Sequence, residues 1–361
     1  MGSTDMAVEE QAVHVCALGA STPLGRDAWS SAAAVRAGLS AFSLHPFMLD
    51  SAGVPMRIAC APWLDPMLGG VGRYQALVLP AIEQVLEPFA GVAGQGLRIA
   101  LAMGLPAPRP GLEPNLAADL QQVLREALAP RIGAVAAFTA GHAAGLLALE
   151  AAVGSLQQGS VDACVVAGVD SWLEPQTLEW LEECDQLHGA GPLNNAWGFI
   201  PGEGAGALLL MRRELAQRLG LSALARVVAL GSAVEAKRIK TPTVCIGEGL
   251  TAAFREALAA LPQGAQVHDV YCDMNGEPYR ADEFGFAVLR TREGFVSASD
   301  FVAPADCWGD VAAAGGPLHL MLACVAGAKS YARGPLALSW ASAEGGERCA
   351  ALLAVRQGME R

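Results

Sequence analysis

A histidine stands at a turn where an apolar strand passes directly into a helix. Residues 132–138 form an apolar run that predicts a strand, and the residues from 143 to about 158 are rich in alanine and leucine, which predicts a helix. Unpaired backbone N–H groups and the helix dipole favour negative charge at such a helix N-terminus. His142 therefore occupies a turn that is suited to stabilise a negatively charged group.

The composition describes a long, apolar and acidic chain. It has 361 residues, of which 53% are hydrophobic and 17% charged, so it can build a large α/β core and is expected to have a subunit interface. The formal net charge of -12 argues against nucleic acid as a partner, because phosphate binding needs a basic surface. Residues 132–149 carry no charge, but they are mostly alanine and glycine and change from strand-like to helix-like, so no membrane partner is predicted.

Cofactor, metal and targeting signals are lacking in the sequence. The nine cysteines have no CxxC spacing, which predicts neither a metal site nor a disulfide framework. The glycine-containing turn at 19–25 is not a GxGxxG motif and is interrupted by Pro23, so no nucleotide cofactor is predicted. Residues 1–11 are polar and acidic and are predicted to be flexible. They do not resemble a signal or transit peptide, which makes the cytoplasm the expected location.

Strand and helix patterns alternate along the chain and restart near residue 225. Strands are predicted at 13–18, 97–103, 132–138, 162–168, 207–211, 226–232, 267–273, 335–342 and 348–355. Helices are predicted at 26–37, 75–89, 116–128, 143–158, 213–219, 249–261 and in a segment ending at 329. Residues 40–68 and the segment with Trp172, Trp180 and Trp197 are predicted to be irregular. The order predicts two similar βα halves, residues 12–221 and 222–361.

Several motifs in this order resemble those of the β-ketoacyl synthases of the thiolase superfamily. Residues 15–25 are similar to the opening strand and TPLG turn of that family, and Gly-Phe-Ile-Pro-Gly-Glu-Gly-Ala-Gly at 198–206 is similar to its GFxxGEGAG motif. Residues 247–251, 309–316 and 342–346 fit the second half. The resemblance covers nearly the whole chain and implies an α/β, thiolase-like fold with two βα halves in an α/β/α/β/α layering.

The resemblance implies a catalytic site that this chain has replaced. In the family, a cysteine takes an acyl group from a carrier thioester, and two histidines assist malonyl decarboxylation and carbon–carbon bond formation. When the family motifs are mapped residue by residue, His142 stands at the position of the family's cysteine, Asn275 at that of its first histidine and Asp310 at that of its second. A neutral imidazole gives no stable thioester, and an ionised aspartate repels an oxyanion. Condensation activity is therefore predicted to be absent.

Further residues are expected around this site from the same resemblance. Two glycines are candidates for backbone donors to an oxyanion, and four side chains are candidates for pocket lining: Gly345, Gly346, Phe199, Glu203, Cys272 and Cys307. For Glu203 a structural hydrogen-bonding role is preferred. For the two cysteines, burial as small apolar residues is preferred over a role as replacement nucleophiles.

Two classes of function remain open. The first is a protein that keeps the fold without the chemistry and acts by binding. It would be a non-catalytic partner of an active ketosynthase, similar to chain-length factors of aromatic polyketide and aryl-polyene pathways, or an adaptor for a secreted toxin. The second is an acyl-transfer or hydrolytic enzyme that uses His142, Asp310 and Asn275. The competing explanation for these three residues is a hydrogen-bonded plug in a disused pocket, and a wrong mapping would leave an active 3-oxoacyl carrier-protein synthase.

The strand that precedes His142 gives the expected oligomeric state. Relatives of this fold dimerise by pairing this strand, and residues 134–138 have the small apolar side chains that suit such a contact. The sequence therefore predicts a dimer with a second copy or with a different chain. The expected protein partners are a ketosynthase, a carrier protein or a secreted effector.

Overall fold

The computed structural model describes residues 12–90 and 96–358, so the predicted flexible segment 1–11 lies outside the described residues. The strands are β1 (Val13–Ser21), β2 (Ser43–Leu49), β3 (Pro55–Ile58), β4 (Ile99–Gly104), β5 (Ala134–Phe138), β6 (Ala163–Ser171), β7 (Glu203–Arg212), β8 (Ala225–Val234), β9 (Asp269–Cys272), β10 (Phe301–Val302), β11 (Leu336–Ser342) and β12 (Glu347–Val355). The helices are α1 (Ala28–Arg36), α2 (Gly70–Leu86), α3 (Leu116–Leu128), α4 (Ala144–Gln157), α5 (Pro175–Glu183), α6 (Arg213–Arg218), α7 (Glu248–Leu258), α8 (Pro278–Thr291), α9 (Ala305–Trp308) and α10 (Gly315–Ala328). None of these helices is long and apolar enough to cross a membrane.

The main sheet consists of two five-stranded halves that are joined edge to edge. Its order is β5-β4-β6-β7-β1-β8-β12-β11-β9-β10, and the halves meet where His14 and Val15 pair with Arg226 and Ala225. In each half the three strands farthest from this junction are parallel and the remaining pairs are antiparallel. One strand topology is thus repeated, whereas the predicted boundary between residues 221 and 222 remains a prediction.

Helices lie on both sides of each half of the sheet. The central helices α4 and α10 pack between the two halves, in a core that includes Leu146, Leu208, Leu318 and Cys349. The pair α2 and α3 covers the outer face of the first half, and the pair α7 and α8 covers the outer face of the second. The layers therefore alternate as α/β/α/β/α.

Glycines allow the central helices to meet at their N-terminal ends. A Cβ atom on Gly145 of α4 would lie 2.3 Å from Pro317 Cδ, and one on Gly316 of α10 would lie 3.1 Å from the backbone nitrogen of Leu146. Any side chain at Gly145 would force the helices apart, because atoms at such distances overlap. This close packing brings the turn before α4 against the turn before α10.

Several elements differ from the sequence prediction, among them the short β10 and α9, which were not predicted. Residues 40–68, predicted to be irregular, contain the hairpin β2–β3, whose prolines are tolerated because the hairpin lies outside the main sheet. The predicted tryptophan loop contains α5. Helix α8 was not predicted because its buried face includes Arg280 and Glu283, which interrupt the apolar periodicity that identifies a helix.

Candidate functional site

His142 lies in a single 3₁₀ turn, Gly141–Ala143, between β5 and α4. Gly141 adopts a φ of 54°, in the left-handed region that glycine enters without steric cost. Its N–H donates to the carbonyl of Leu105 at 3.3 Å, which fixes the turn to the end of β4. The side chain of His142 is directed into the protein, and only 5% of the residue is exposed.

Asp310 is held in place by the glycine-rich segment 198–206. Its N–H donates to the carbonyl of Ile200 at 2.8 Å, and its own carbonyl accepts from the N–H of Gly202 at 2.9 Å. The preceding Gly309 has a φ of 73°, and a Cβ there would approach the carbonyl oxygen of Ile200 to 2.9 Å. Asp310 is only 4% exposed, so its carboxylate depends on protein donors.

The three mapped positions meet at the Asp310 carboxylate. His142 Nε2 lies 2.9 and 3.0 Å from the two carboxylate oxygens, and Asn275 Nδ2 donates to Oδ2 at 2.6 Å. Oδ1 also accepts from Trp172 Nε1 at 3.2 Å and from the N–H of Ala312 at 2.8 Å. These donors occupy the acceptor sites of an ionised carboxylate, which accepts about four hydrogen bonds.

The environment keeps Asp310 ionised. Burial by itself would raise the pKa of this carboxyl group. The facing imidazole of His142, the charge of Arg280 and the hydrogen bond from Asn275 outweigh burial and hold the pKa well below its usual range. The site therefore presents a fixed negative charge, which repels an oxyanion instead of stabilising it.

A buried arginine completes the cluster. Arg280, fully buried on α8, places Nη2 3.1 Å from His142 Nε2 and 3.4 Å from His142 Nδ1. Its Nη1 donates to Asp273 Oδ2 at 2.8 Å and to the carbonyl of Ser342 at 3.0 Å. Because His142 Nε2 donates to Asp310, the ring nitrogen that can accept from Arg280 is Nδ1, at 3.4 Å. Burial would lower the pKa of Arg280, but Asp273 and the other acidic neighbours raise it.

Arg280 and Lys240 are not predicted as site residues from the sequence, because a charged residue outside a recognised element is normally exposed. At the outer side of the cluster, Lys240 Nζ lies 3.1 Å from Glu277 Oε1 and also contacts Glu344 and Gln186. Burial alone would raise the pKa of Glu344, and the Lys240 charge instead lowers it. Lys240 and Glu344 thus link the turn at 342–346 to the buried cluster.

Little space remains beside His142. A cavity of about 20 Å³ is lined by His142, Cys272, Asp310 and His319, among other residues. This volume accommodates about one water molecule, whereas ligand pockets usually measure about 300–1,000 Å³. Burial lowers the pKa of His319 to about 3, so this neighbouring imidazole is neutral at pH 7. Within the part of the chain that the structure describes, the cavity beside His142 is too small for an acyl chain.

Only some of the other predicted site residues lie near this cluster. Phe199 is buried against Trp172, with ring centroids 5.4 Å apart. Gly345 and Gly346 form the tight turn between β11 and β12, and the N–H of Gly346 donates to the carbonyl of Ala343 at 3.2 Å. Neither glycine lines the 20 Å³ cavity. Their proposed role as oxyanion donors therefore gains no support from their position.

Glu203 lies away from the cavity and stabilises the scaffold. Its carboxylate pairs with Arg73 of α2, at 2.6 Å from Nε and 2.8 Å from Nη2. It also accepts from Ser171 Oγ at 2.9 Å and from the N–H of Ala61 at 2.8 Å. Glu203 thus joins β7 to α2, which agrees with the preferred structural role.

The two cysteines near the mapped positions are poorly suited to attack a substrate. Cys272 lines the small cavity, and Cys307 lies in α9 without lining it. Burial raises the pKa of both thiols, which keeps them protonated, and the thiolate is the reactive form.

One group of side chains outside this site has the composition of a metal site. The nearest ligand atoms of Glu235, Cys245 and Glu283 lie within 4.8 Å of one another. Glu283 is already paired with Arg348 at 2.5 Å, and Glu235 accepts from the N–H of Gly249 at 2.7 Å. Burial raises the pKa of Cys245 to about 11. These contacts disfavour metal binding, and the sequence-based expectation of no metal stays a prediction.

The sequence is similar to known proteins over part of its length. Residues 132–216 match the β-ketoacyl synthase, N-terminal domain family. A highly reducing polyketide synthase, frbB, of Dothideomycetidae sp. (strain 11243) is 31% identical over 170 residues. That match covers 43% of this chain but only 6% of the length of the polyketide synthase.

Solved structures match nearly the whole chain. The type II polyketide ketosynthase AntDE, in complex with its acyl-carrier protein AntF, has a TM-score of 0.78 at 16% identity, with 95% of this chain and 99% of that chain covered. The ishigamide ketosynthase/chain length factor has a TM-score of 0.78 at 18% identity and the same coverage. The ketosynthase ApeO in complex with its chain length factor ApeC, from Xenorhabdus doucetiae, has 0.75 at 15%, with 98% and 100% covered. The predicted fold class is thereby confirmed: the chain has the mixed α/β, thiolase-like fold of the ketosynthases, and residues 132–216 are similar to the ketoacyl-synthase N-terminal domain.

Proposed function

We propose that this chain is a ketosynthase-like protein that has lost condensation activity and acts by binding another protein. The supporting observation is the buried cluster around Asp310, in which His142, Asn275 and Arg280 satisfy one another and leave a cavity of only about 20 Å³. Among the described residues of this cluster, His142 offers no thiolate for an acyl group, and the cavity is too small to hold one. Asp310, held ionised, opposes the negative charge that builds up during condensation.

The preferred partner is an active ketosynthase. Two of the similar structures are ketosynthase and chain-length-factor complexes, which makes a partner subunit the closest analogy. Strand β5 lies at one end of the main sheet with β4 as its neighbour, and Ala134 and Ala136 are exposed. An edge strand with small side chains can pair with the same strand of another chain. The alternative partners are a second copy of this chain, a carrier protein and a secreted effector.

Enzymatic assays test whether condensation activity is lost. The purified chain is incubated with acyl and malonyl carrier proteins, and an active ketosynthase serves as the positive control. We expect no 3-oxoacyl product from the chain alone. Formation of that product would overturn the proposal. Its loss in the His142→Ala variant would assign the reaction to His142, and its persistence in that variant would mean that the mapping of the site is wrong.

Affinity purification from the native host tests the partner. Mass spectrometry of the eluate identifies the bound protein, and the intact mass of the chain reports any covalent adduct. We expect a ketosynthase to coelute. Coelution of a carrier protein or a secreted toxin would replace the proposed partner, and light scattering that gives a monomer at micromolar concentration would argue against self-association.

One observation favours a second function, hydrolysis by a His142–Asp310 dyad. The 2.9 Å contact is within reach for a general base and its orienting group. Burial of both side chains and the contact with Arg280 oppose it, since a general base must reach solvent or substrate. Hydrolysis of p-nitrophenyl esters that disappears in His142→Gln, with folding unchanged, would favour the enzyme.

A further inference from the structure

An apolar groove lies on the surface next to the β2–β3 hairpin. We call it the hairpin groove: a cavity of about 630 Å³ between the hairpin, the loop at 59–69 and the start of α5. Its apolar lining includes Phe47, Met48, Ile58, Leu64, Met67 and Leu173. The volume falls within the range of ligand-binding pockets, in contrast to the cavity beside His142.

Apolar side chains extend from the hairpin groove onto the surrounding surface. Phe47 is 61% exposed and Met67 is 76% exposed, and the neighbouring Leu44 and Leu49 of β2 are also exposed. Exposed apolar side chains both within and beside a cavity are typical of a protein-binding site, because a small molecule would leave the outer ones in water.

The hairpin does not offer a backbone edge for strand addition at this place. Pro46 has no N–H, and the N–H groups of Phe47 and Met48 donate to His45 Nδ1 at 3.2 and 3.0 Å. Residues 46–48 therefore have no free backbone donor for a pairing strand. The side chains of the groove, rather than its backbone, must make the contacts with a partner.

Charge selects the kind of partner. Arg73 lines the groove, but its charge is neutralised by the buried Glu203. Glu174 at the wall accepts from the N–H of Gly70, Asp65 beside it accepts from the N–H of Met67, and neither carboxylate forms an ion pair within residues 12–90 and 96–358. These two carboxylates beside the apolar lining are complemented by a partner that carries cations next to its apolar residues.

We infer that the hairpin groove binds an amphipathic helix of a protein partner, with apolar residues on one face and lysine or arginine beside them. The apolar face would cover Phe47 and Met67, and the cations would lie near Glu174 and Asp65. This inference deepens the proposed binding function and rests on it by naming where the partner docks. It does not depend on β5 or on the residues around His142.

Peptide binding to the full chain tests this inference. The probe is a fluorescein-labelled amphipathic helical peptide made only of leucine and lysine, and the comparison peptide contains leucine and glutamate. We expect saturable binding of the first peptide by fluorescence anisotropy. The Phe47→Ser/Met67→Ser variant should raise its Kd about tenfold or more, because truncated apolar anchors typically cost that much. Glu174→Gln, which keeps the hydrogen bond to Gly70, should raise Kd about threefold.

Matched controls separate this site from general attraction to an acidic protein. Leu193→Ser removes a side chain that is 94% exposed outside the groove, and it should leave Kd unchanged. Equal binding of both peptides, equal binding to the double variant, or displacement of the probe by lauric acid would overturn the inference. A marked gain of affinity on deletion of residues 1–11 would assign the groove to the chain's own N-terminus. Because condensation and copurification do not use this probe, failure here is distinguishable from failure of the proposed function.

Discussion

The cluster around Asp310 and the hairpin groove differ in the chemistry of their side chains and in the space that those side chains leave. In the cluster, charged groups meet at hydrogen-bonding distance and leave about 20 Å³, whereas the groove keeps about 630 Å³ between apolar side chains. Buried charges are stable only when they are paired, so a charge-filled site tends to close upon itself. Apolar walls can remain open to a partner. In this chain, the region that resembles an active site is closed, and the open surface lies elsewhere.

The largest effect should come from breaking the closed region. Arg280→Ala would leave Asp273 without its buried ion-pair partner and would remove a positive charge that acts on Asp310, and removal of one partner of a buried pair typically costs about 3–5 kcal/mol of unfolding free energy. Urea denaturation measures the loss. The matched control is Arg131→Ala in the exposed pair with Glu83, where about 1 kcal/mol or less is expected. A cost for Arg280→Ala as small as that of the control would mean that the cluster is not tightly coupled.

The accessibility of the hairpin groove and of the Asp310 cluster can be compared through one cysteine in each. Cys60 lines the hairpin groove and is half-buried, whereas Cys272 is buried and lines the small cavity. We expect iodoacetamide to alkylate Cys60 at least about 100-fold faster, because reaction at Cys272 requires local opening and burial also raises the pKa of its thiol. Peptide mass spectrometry gives both rates, the exposed Cys184 is the internal reference, and similar rates at both sites would show that the cluster opens readily.

The pH dependence of stability should report on Asp310. Its pKa is lower in the folded state than the ordinary value of about 3.9, so its contribution to stability is present above that value and is lost as pH falls. We expect Asp310 to account for about 1 kcal/mol of the stability lost between pH 5 and pH 3. Asp310→Asn should therefore give a flatter profile in urea denaturation over this range. Parallel profiles for the two proteins would indicate that Asp310 is not held ionised.

The smallest effect is expected at the open surface. Phe47→Ser changes a residue that is 61% exposed, and stability should change by about 0.5 kcal/mol or less. The fully buried Phe199→Ala is the contrasting variant, with an expected cost of about 3–5 kcal/mol. Thermal unfolding of both variants measures the difference. A large loss at Phe47 would mean that this side chain supports the fold instead of a partner contact.

The sequence predicted elements with a regular apolar period better than it predicted charged contacts. Helix α3 has the bounds that its leucines at 116, 120, 124 and 128 predict, because its apolar stripe is complete. Helix α8 was missed since Arg280 occupies a buried position on it. The motif positions predicted that His142, Asn275 and Asp310 share one site. In the structure, His142 and Asn275 are both within hydrogen-bonding distance of Asp310. Arg280, Lys240 and Trp172 depend on long-range packing that a local pattern does not record.

Glu203 has a consequence for how sequences of this kind are interpreted. It lies in the GFxxGEGAG-like segment, where it binds Arg73, and a Cβ atom on the adjacent Gly202 would approach the carbonyl oxygen of Trp308 to 2.5 Å. The most distinctive motif of the chain thus serves packing: Glu203 pairs with α2, and Gly202 allows close approach of the backbone at Trp308. Similarity in this segment therefore reports the architecture, and it carries no information on the contacts that His142 and Asn275 make with Asp310.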